Sequence, residues 1–237
     1  CMQLQANMDC LQPYQHWLQL YENHPAPHAA YFQWNQFHLM CLSPERFILK
    51  KDNRLISQPI KGTIARQNDP EENQKAIENL INSKKERSEN TMIVDLVRND
   101  MSKISLPKSV YVSELCGIHS FSTLHHLIST VECEIASSTS IESIFQSLFP
   151  MGSMTGVPKK SAVSITHALE KHSRGWYSGT CGWIQPNGDF DFDVIIRSII
   201  YDDQEKKGKI GIGSAITLQS NFQSEWEECW LKAQSLL

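Results

Sequence analysis

The chain has no apolar run near the ~18 residues that a membrane span needs, and no signal-peptide pattern. It has no excess of positive charge. Its 22 basic and 26 acidic side chains leave a formal net charge of −4, which removes the electrostatic case for nucleic acid or an anionic membrane as partner. It has no CxxC pair: the seven cysteines, at 1, 10, 41, 116, 133, 181 and 229, are scattered, which argues against zinc held by cysteine and for reduced, buried thiols of a cytosolic protein. Repeats, low-complexity tracts, obvious linkers and βαβ regularity are all lacking, and no G-x-x-x-x-G-K-S/T phosphate loop occurs. What is left is an ordinary soluble composition, 41% hydrophobic over 237 residues, enough for one large core or two modest ones.

The periodicities describe antiparallel strands punctuated by helices, an α+β pattern. The chain opens directly on alternating Met2, Leu4, Ala6 and Met8 with no capped lead-in, so it is expected to begin inside a domain. Tyr14, Trp17, Leu18 and Tyr21 predict a helix over 13–22. Strands are predicted over 29–34, 37–42, 46–50 and 55–58. Asp69-Pro70-Glu71-Glu72 starts a helix, with an N-cap aspartate, proline in the first turn and acids on the positive end of the dipole. Helical spacing then continues to Ser102, with a break expected in the polar stretch 82–90. Strands over 109–116 and 123–133 follow, then helices over 140–148 and from Thr155-Gly156-Val157-Pro158 to about Lys171. A hairpin pairs 176–184 with 190–201 around Pro186-Asn187-Gly188-Asp189, where Asn-Gly reads as a two-residue turn. A strand over 209–217 and a helix over 222–237 close the chain.

Several segments carry chemistry. Pro59-Ile60-Lys61-Gly62-Thr63 holds a lysine between a residue that fixes φ and one that tolerates almost any, at a corner between strand and loop. Such an amine can serve as a nucleophile if its surroundings depress its pKa; a solvated turn lysine is the alternative. Glu225 and Glu228 share a face of the last helix with Lys232, beside a stripe of Trp226, Trp230, Ala233 and Leu237 expected to be buried. Glu86 and Glu89 precede the apolar run 92–97. Carboxylates from two helices would make an oxygen-only set suited to Mg²⁺, against the alternative of solvated acidic faces. The small-residue loop 149–159 leads into a helix N-terminus that can receive an anion or simply be a capped start. Asp193 and Arg197 fall on one face of an apolar strand, where a guanidinium needs an anion: an internal aspartate or a ligand carboxylate. Of His125 and His126, one is expected to face inward.

Taken in order, these segments resemble the catalytic half of the chorismate-utilising enzymes across nearly the whole chain. The resemblance runs through Ser43-Pro44-Glu45-Arg46-Phe47, the pentapeptide 59–63, the stretch from Glu89 to Asp100, and His125-His126-Leu127. It continues through the loop 152–159, Arg174-Gly175-Trp176-Tyr177-Ser178-Gly179, Ile196-Arg197-Ser198 and Glu225-Trp226-Glu227-Glu228. Within the family, lysine rather than alanine in the pentapeptide points to component I of aminodeoxychorismate synthase, as does Gln3 where water-activating members carry a base lysine. The chain departs from the family pattern at Gly211-Ile212-Gly213-Ser214-Ala215, at Ser198, at Cys229 and at Gln5-Ala6-Asn7.

The resemblance implies two packed antiparallel sheets with helices outside, forming one chorismate-binding catalytic domain over 1–237 that lacks its N-terminal portion. It implies that Lys61 attacks chorismate and that Glu45 is the general acid. It implies Mg²⁺ on Glu89, Glu225 and Glu228. Gly62, Thr63, His126, Ser153, Thr155, Tyr177, Arg197, Gly213 and Lys232 would bind substrate. Ammonia would come from a glutamine amidotransferase subunit (component II). The rivals are a homologue that binds chorismate or a partner without turnover, and a sister enzyme making anthranilate or isochorismate.

Overall fold

The computed structural model describes every residue except Asp9, Gln219, Ser235 and Leu237. In chain order, the first elements are β1 (Met2–Asn7), α1 (Pro13–Asn23), β2 (His28–Trp34), β3 (Phe37–Ser43), β4 (Arg46–Lys51), β5 (Arg54–Gln58) and β6 (Ile60–Ala65). Next come α2 (Pro70–Asn82), α3 (Lys84–Ser102), β7 (Tyr111–Ser120), β8 (Leu124–Glu134), α4 (Ile141–Leu148) and, after a 3-10 turn at Gly152–Met154, α5 (Lys159–Leu169). The last are β9 (Thr180–Ile184), β10 (Phe190–Val194), β11 (Ser198–Asp202), β12 (Lys207–Ile212) and α6 (Phe222–Gln234). The expected α+β architecture of two antiparallel sheets with helices is present.

The chain divides into two compact units, one of Cys1–Glu45, Glu170–Cys181 and Asp193–Leu237, the other of Arg46–Leu169 and Gly182–Phe192. In the first, a five-stranded sheet runs β1-β12-β11-β3-β2. Met40, Leu42, Ile199, Tyr201, Ile210 and Ile212 from its strands cluster with Cys229 and Ala233 of α6. On α6 the buried residues are Glu225, Cys229 and Ala233, four apart. The stripe expected from Trp226 and Trp230 is therefore displaced by one position. These two rings are 40% and 39% exposed; Trp226 meets Trp230 edge-to-face and stacks on Phe222. Leu237, the fourth member of that stripe and the end of the expected helix, lies outside the described residues.

The second unit is organised by β8. β7 pairs along one edge, while β5 and β6 follow one another along the other. Pro59, which has no N–H to offer, separates β5 from β6, and its carbonyl accepts from Ser129. β8 is buried along nearly its whole length, so His125 and His126 are both interior, at 1% and 4% exposure, rather than one of the two. Alternation alone cannot reveal a strand covered on both faces.

Local chemistry accounts for the helix boundaries. Asp69 Oδ1 accepts from the Glu72 N–H at 2.9 Å. The break expected in 82–90 is one residue: Ser83 donates its N–H to Leu80 and accepts from the Glu86 N–H, ending α2 and capping α3. α5 begins at Lys159 rather than Thr155, because Thr155 and Gly156 (φ +155°) are not helical. The hairpin turn also differs from the two-residue form. Gly188 donates to Gln185 and alone takes the left-handed conformation, while Pro186 holds the preceding φ negative. Finally, the long strand expected over 190–201 is two strands. Arg197, at φ +50°, lies in the connection between β10 and β11.

Candidate active site

The lysine of the pentapeptide is on a strand, not at a corner. Opposite β8, Ile60 pairs with Ile128 and Thr63 with His126, so three steps along β6 match two along β8. The extra residue makes Lys61-Gly62 a bulge, a device that re-aims a side chain. Gly62 has φ +83°, and a Cβ there would fall 3.1 Å from Leu127 and Leu80 side-chain carbons and 3.2 Å from Glu86 Cβ. The positive φ favours glycine at that position, and a Cβ would also require its neighbours to give by a few tenths of an ångström. Thr63 Oγ1 lies 2.8 Å from His126 Nδ1, joining the two strands beside the bulge. His125 bonds Ser120 and Asn73 instead. Burial, then the charge of Arg66, pulls its pKa below the ordinary histidine value, as befits a core histidine.

α3 lies on β8, and Asn90 sets its rotation. This side chain has no exposure, donates to the Leu127 carbonyl at 3.4 Å, and accepts from Ser129 Oγ and from Cys116 Sγ. Its neighbour Glu89 is also buried, and Glu89 Oε1 has no hydrogen bond among the described residues. Ser153 Oγ, on the small-residue loop, is likewise buried without one. That loop rests on α3 where a Cβ on Gly152 would lie 2.9 Å from Leu96 Cδ2. Thr155 Oγ1 donates to the Met151 and Gly152 carbonyls. Lys159 at the head of α5 is committed to Asp100, which also pairs with Lys103 at 2.7 Å.

In the first unit, Glu45 is 5% exposed just after β3. Its N–H donates to Ser43 Oγ and its carbonyl accepts from Val194. Glu225 is buried on α6, while Glu228, half-buried, pairs with Lys232 one turn on. Lys232 Nζ also donates to the Gly213 carbonyl at 2.9 Å, and Arg197 Nη1 donates to the Lys232 carbonyl at 3.4 Å. Burial pulls the Arg197 pKa below the ordinary guanidinium value, and the nearby Glu228 and Tyr177 oppose that. Tyr177 lies on a turn before β9, where burial pushes its pKa up to about 12. Its ring covers Gly211, and its Oη is 3.0 Å from the point where Gly213 would carry a Cβ. Arg197, Lys232, Gly213 and Tyr177 thus form one connected group. Asp193, the internal acid considered for Arg197, instead accepts from Cys181 N–H and from the thiols of Cys181 and Cys41.

The sequence matches the family model for chorismate binding enzymes over residues 1–237. The chain belongs to the chorismate-binding enzyme family. Among its curated relatives, an aminodeoxychorismate synthase of Arabidopsis thaliana, described as chloroplastic, is 41% identical over 222 residues, 92% of this chain and 24% of the relative. Aminodeoxychorismate synthase component 1 of Escherichia coli (strain K12) is 35% identical over 226 residues, 94% of this chain and 49% of the relative. The chain therefore spans a quarter to a half of these relatives. Anthranilate synthase component I from Streptococcus pneumoniae TIGR4 superposes with a TM-score of 0.88 at 26% identity, over 99% of this chain and 51% of that one.

Sequence reasoning missed Asn90 as the residue that orients α3. Its signal was present: a polar residue next to Glu89 at the head of an apolar helical run. Replacing Asn90 with alanine strands Ser129 and Cys116 and is expected to cost about 1–3 kcal/mol in a denaturant titration.

Proposed function

We propose that this chain carries the chorismate-aminating step of aminodeoxychorismate synthase component I, converting chorismate and ammonia to 4-amino-4-deoxychorismate and water. The observation that carries this reading is a lysine raised on a glycine bulge in a chorismate-binding fold whose relatives at 35–41% identity bear that name. Lys61 Nζ forms a bond to C2 as the C4–O bond breaks, and Glu45 delivers the proton with which hydroxide leaves as water. Ammonia then bonds to C4 as the C2–N bond breaks, freeing the lysine. Two allylic displacements put nitrogen on the carbon that held oxygen. Arg197, Lys232, Tyr177 and the Gly213 backbone bind carboxylate. Thr63, His126, Gly62, Ser153 and Thr155 complete the substrate contacts.

Glu89, Glu225 and Glu228 would hold Mg²⁺, which when bound neutralises charge at the ring carboxylate. All three donors are carboxylates, the ligand type Mg²⁺ takes; Glu89 is buried on α3, where its Oε1 makes no hydrogen bond among the described residues, and Glu225 is buried on α6. Replacing Glu89 or Glu228 with Gln should raise the Mg²⁺ concentration for half-maximal turnover at least about tenfold, the smaller of the losses seen when a metal's outer shell is changed. An unaltered Mg²⁺ requirement in both variants would move the metal elsewhere. A glutamine amidotransferase subunit supplies the ammonia. We place the protein in the cytoplasm, on the strength of seven free cysteines, and no described helix is long and apolar enough to cross a membrane.

Arg197→Met tests the carboxylate role. Neither residue is glycine, so the strain of φ +50° is common to both proteins. Chorismate binding should weaken by about 1.5–3 kcal/mol with little loss of stability. Melting curves with and without chorismate and Mg²⁺ measure both, and an unchanged ligand-induced shift would reject the role. The function itself is tested by giving the chain chorismate, Mg²⁺ and concentrated ammonium and identifying the product. 4-Amino-4-deoxychorismate is expected; anthranilate or isochorismate would assign a sister activity, and ligand-induced stabilisation without product would make the chain a binder.

A further inference from the structure

The strands β3, β9 and β10 bring together three groups that the reaction does not use. Cys41 on β3 is fully buried, Asp193 on β10 is 5% exposed, and Cys181 on β9 is half-buried. Cys181 Sγ is 2.9 Å from Asp193 Oδ1, Cys41 Sγ is 3.7 Å from Asp193 Oδ2, and one ligand atom from each residue lies within 4.8 Å of the others. Cys41 and Cys181 pack in an apolar cluster with Leu39, Ile195, Ala30 and Ile200. Among the described residues no basic side chain pairs with Asp193, so besides the Cys181 N–H its carboxylate has two thiols for neighbours where a buried acid ordinarily has a cation.

We propose that Cys41, Cys181 and Asp193 form a site for a thiophilic d¹⁰ cation of the Zn²⁺ type. Zinc bonds of ~2.3 Å to sulfur and ~2.0 Å to oxygen place tetrahedral ligands roughly 3.5–3.8 Å apart, a spacing these side chains reach by small torsions. The Ile196 carbonyl lies 3.9 Å from Cys41 Sγ and accepts from Ser198 Oγ at 2.8 Å, so the fourth position is assigned to water. Two thiolates and a carboxylate select Zn²⁺ over Mg²⁺, which takes oxygen. Binding displaces the two thiol protons to solvent and needs no oxidant. None of the three ligands is an acid assigned to Mg²⁺, and the proposal stands whichever product the enzyme makes. Occupancy would brace the connection 193–197, whose Arg197 carbonyl accepts from Leu42 N–H at 3.0 Å.

The test is a titration of the reduced, metal-free full chain with Co²⁺, followed by Zn²⁺ competition against a chromophoric chelator. Expected are thiolate-to-cobalt charge transfer, tetrahedral d–d bands at one Co²⁺ per chain, and displacement by Zn²⁺ but not by millimolar Mg²⁺. Cys41→Ser and Cys181→Ser should each weaken Zn²⁺ binding at least about 100-fold, beyond the loss from an outer-shell change. The double serine variant, with circular dichroism to verify its fold, should lose the charge-transfer band. Absence of that band in the wild-type chain, a result that depends on no variant, would overturn the proposal. So would an undiminished band in the folded double variant, which would mean other cysteines hold the metal.

Discussion

Replacing Lys61 with alanine is expected to reduce ammonia-dependent formation of 4-amino-4-deoxychorismate by roughly 10³-fold or more, within the range that loss of a single nucleophile produces. The amine forms the covalent bond, and no neighbour on β6 offers another: Ile60 and Gly62 flank it, and Thr63 is tied to His126. Because Lys61 is half-buried on an edge bulge and not in a core cluster, the alanine variant should keep the wild-type melting temperature. Intact-protein mass spectrometry after trapping should find a chorismate-derived adduct on the wild-type chain and none on the variant. Arginine at the same position should fail as well, since its guanidinium stays protonated. Full amination by the alanine variant would remove Lys61 from the mechanism.

A large effect of a small change is expected at Gly211. A Cβ there would fall 2.2 Å from Cγ and 2.5 Å from Cδ2 of Tyr177, inside any permissible contact. The obstacle is the root of a buried ring, which cannot swing away as the tip of a flexible side chain would. Gly211→Ala should therefore destabilise by about 1–3 kcal/mol, the usual cost of overpacking, and lower Tm by roughly 2–4 °C per kcal/mol for a chain of this size. Displacing the ring also disturbs the Tyr177–Gly213–Lys232–Arg197 group, so chorismate-induced stabilisation should fall. Gly188→Asn is the contrasting case. Nothing lies within 4 Å of its Cβ position and asparagine tolerates φ +85°, so stability should stay within about 0.5 kcal/mol of wild type. A double-mutant cycle of Gly211→Ala with Tyr177→Ala should show coupling of at least about 0.5 kcal/mol. Strictly additive effects would mean the ring is not the obstacle.

Features set by a few consecutive residues could be read directly from the sequence. The cap at Asp69, the aromatic spacing of α1 and the four strands between 28 and 58 depend on local hydrogen bonds and local periodicity, and they appear where those rules place them. The family likewise is carried by short ordered motifs. What the sequence could not supply is anything fixed by pairing between distant segments. The Lys61-Gly62 bulge exists only against the register of β8, whose residues are ~60 positions away. Both histidines of β8 are interior because its two faces are covered, and Trp226 and Trp230 face outward because Glu225, Cys229 and Ala233 take the buried side of α6. Spacing 225, 229 and 233 is as helical as 226, 230 and 233, so periodicity alone could not choose between them.

By itself, then, the sequence determined the element order, the α+β class and the chemistry available, because propensity, capping and motif order act over a few residues. Only the tertiary structure decided which groups meet. Arg197, Lys232, Gly213 and Tyr177 come from four separate segments, as do Cys41, Cys181 and Asp193 from three. Scattered cysteines with no CxxC spacing gave no sign of a cluster, since β9 and β10 pair with each other while β3 belongs to the other sheet, and neither that pairing nor the burial of apolar surface is encoded in the cysteines' own positions.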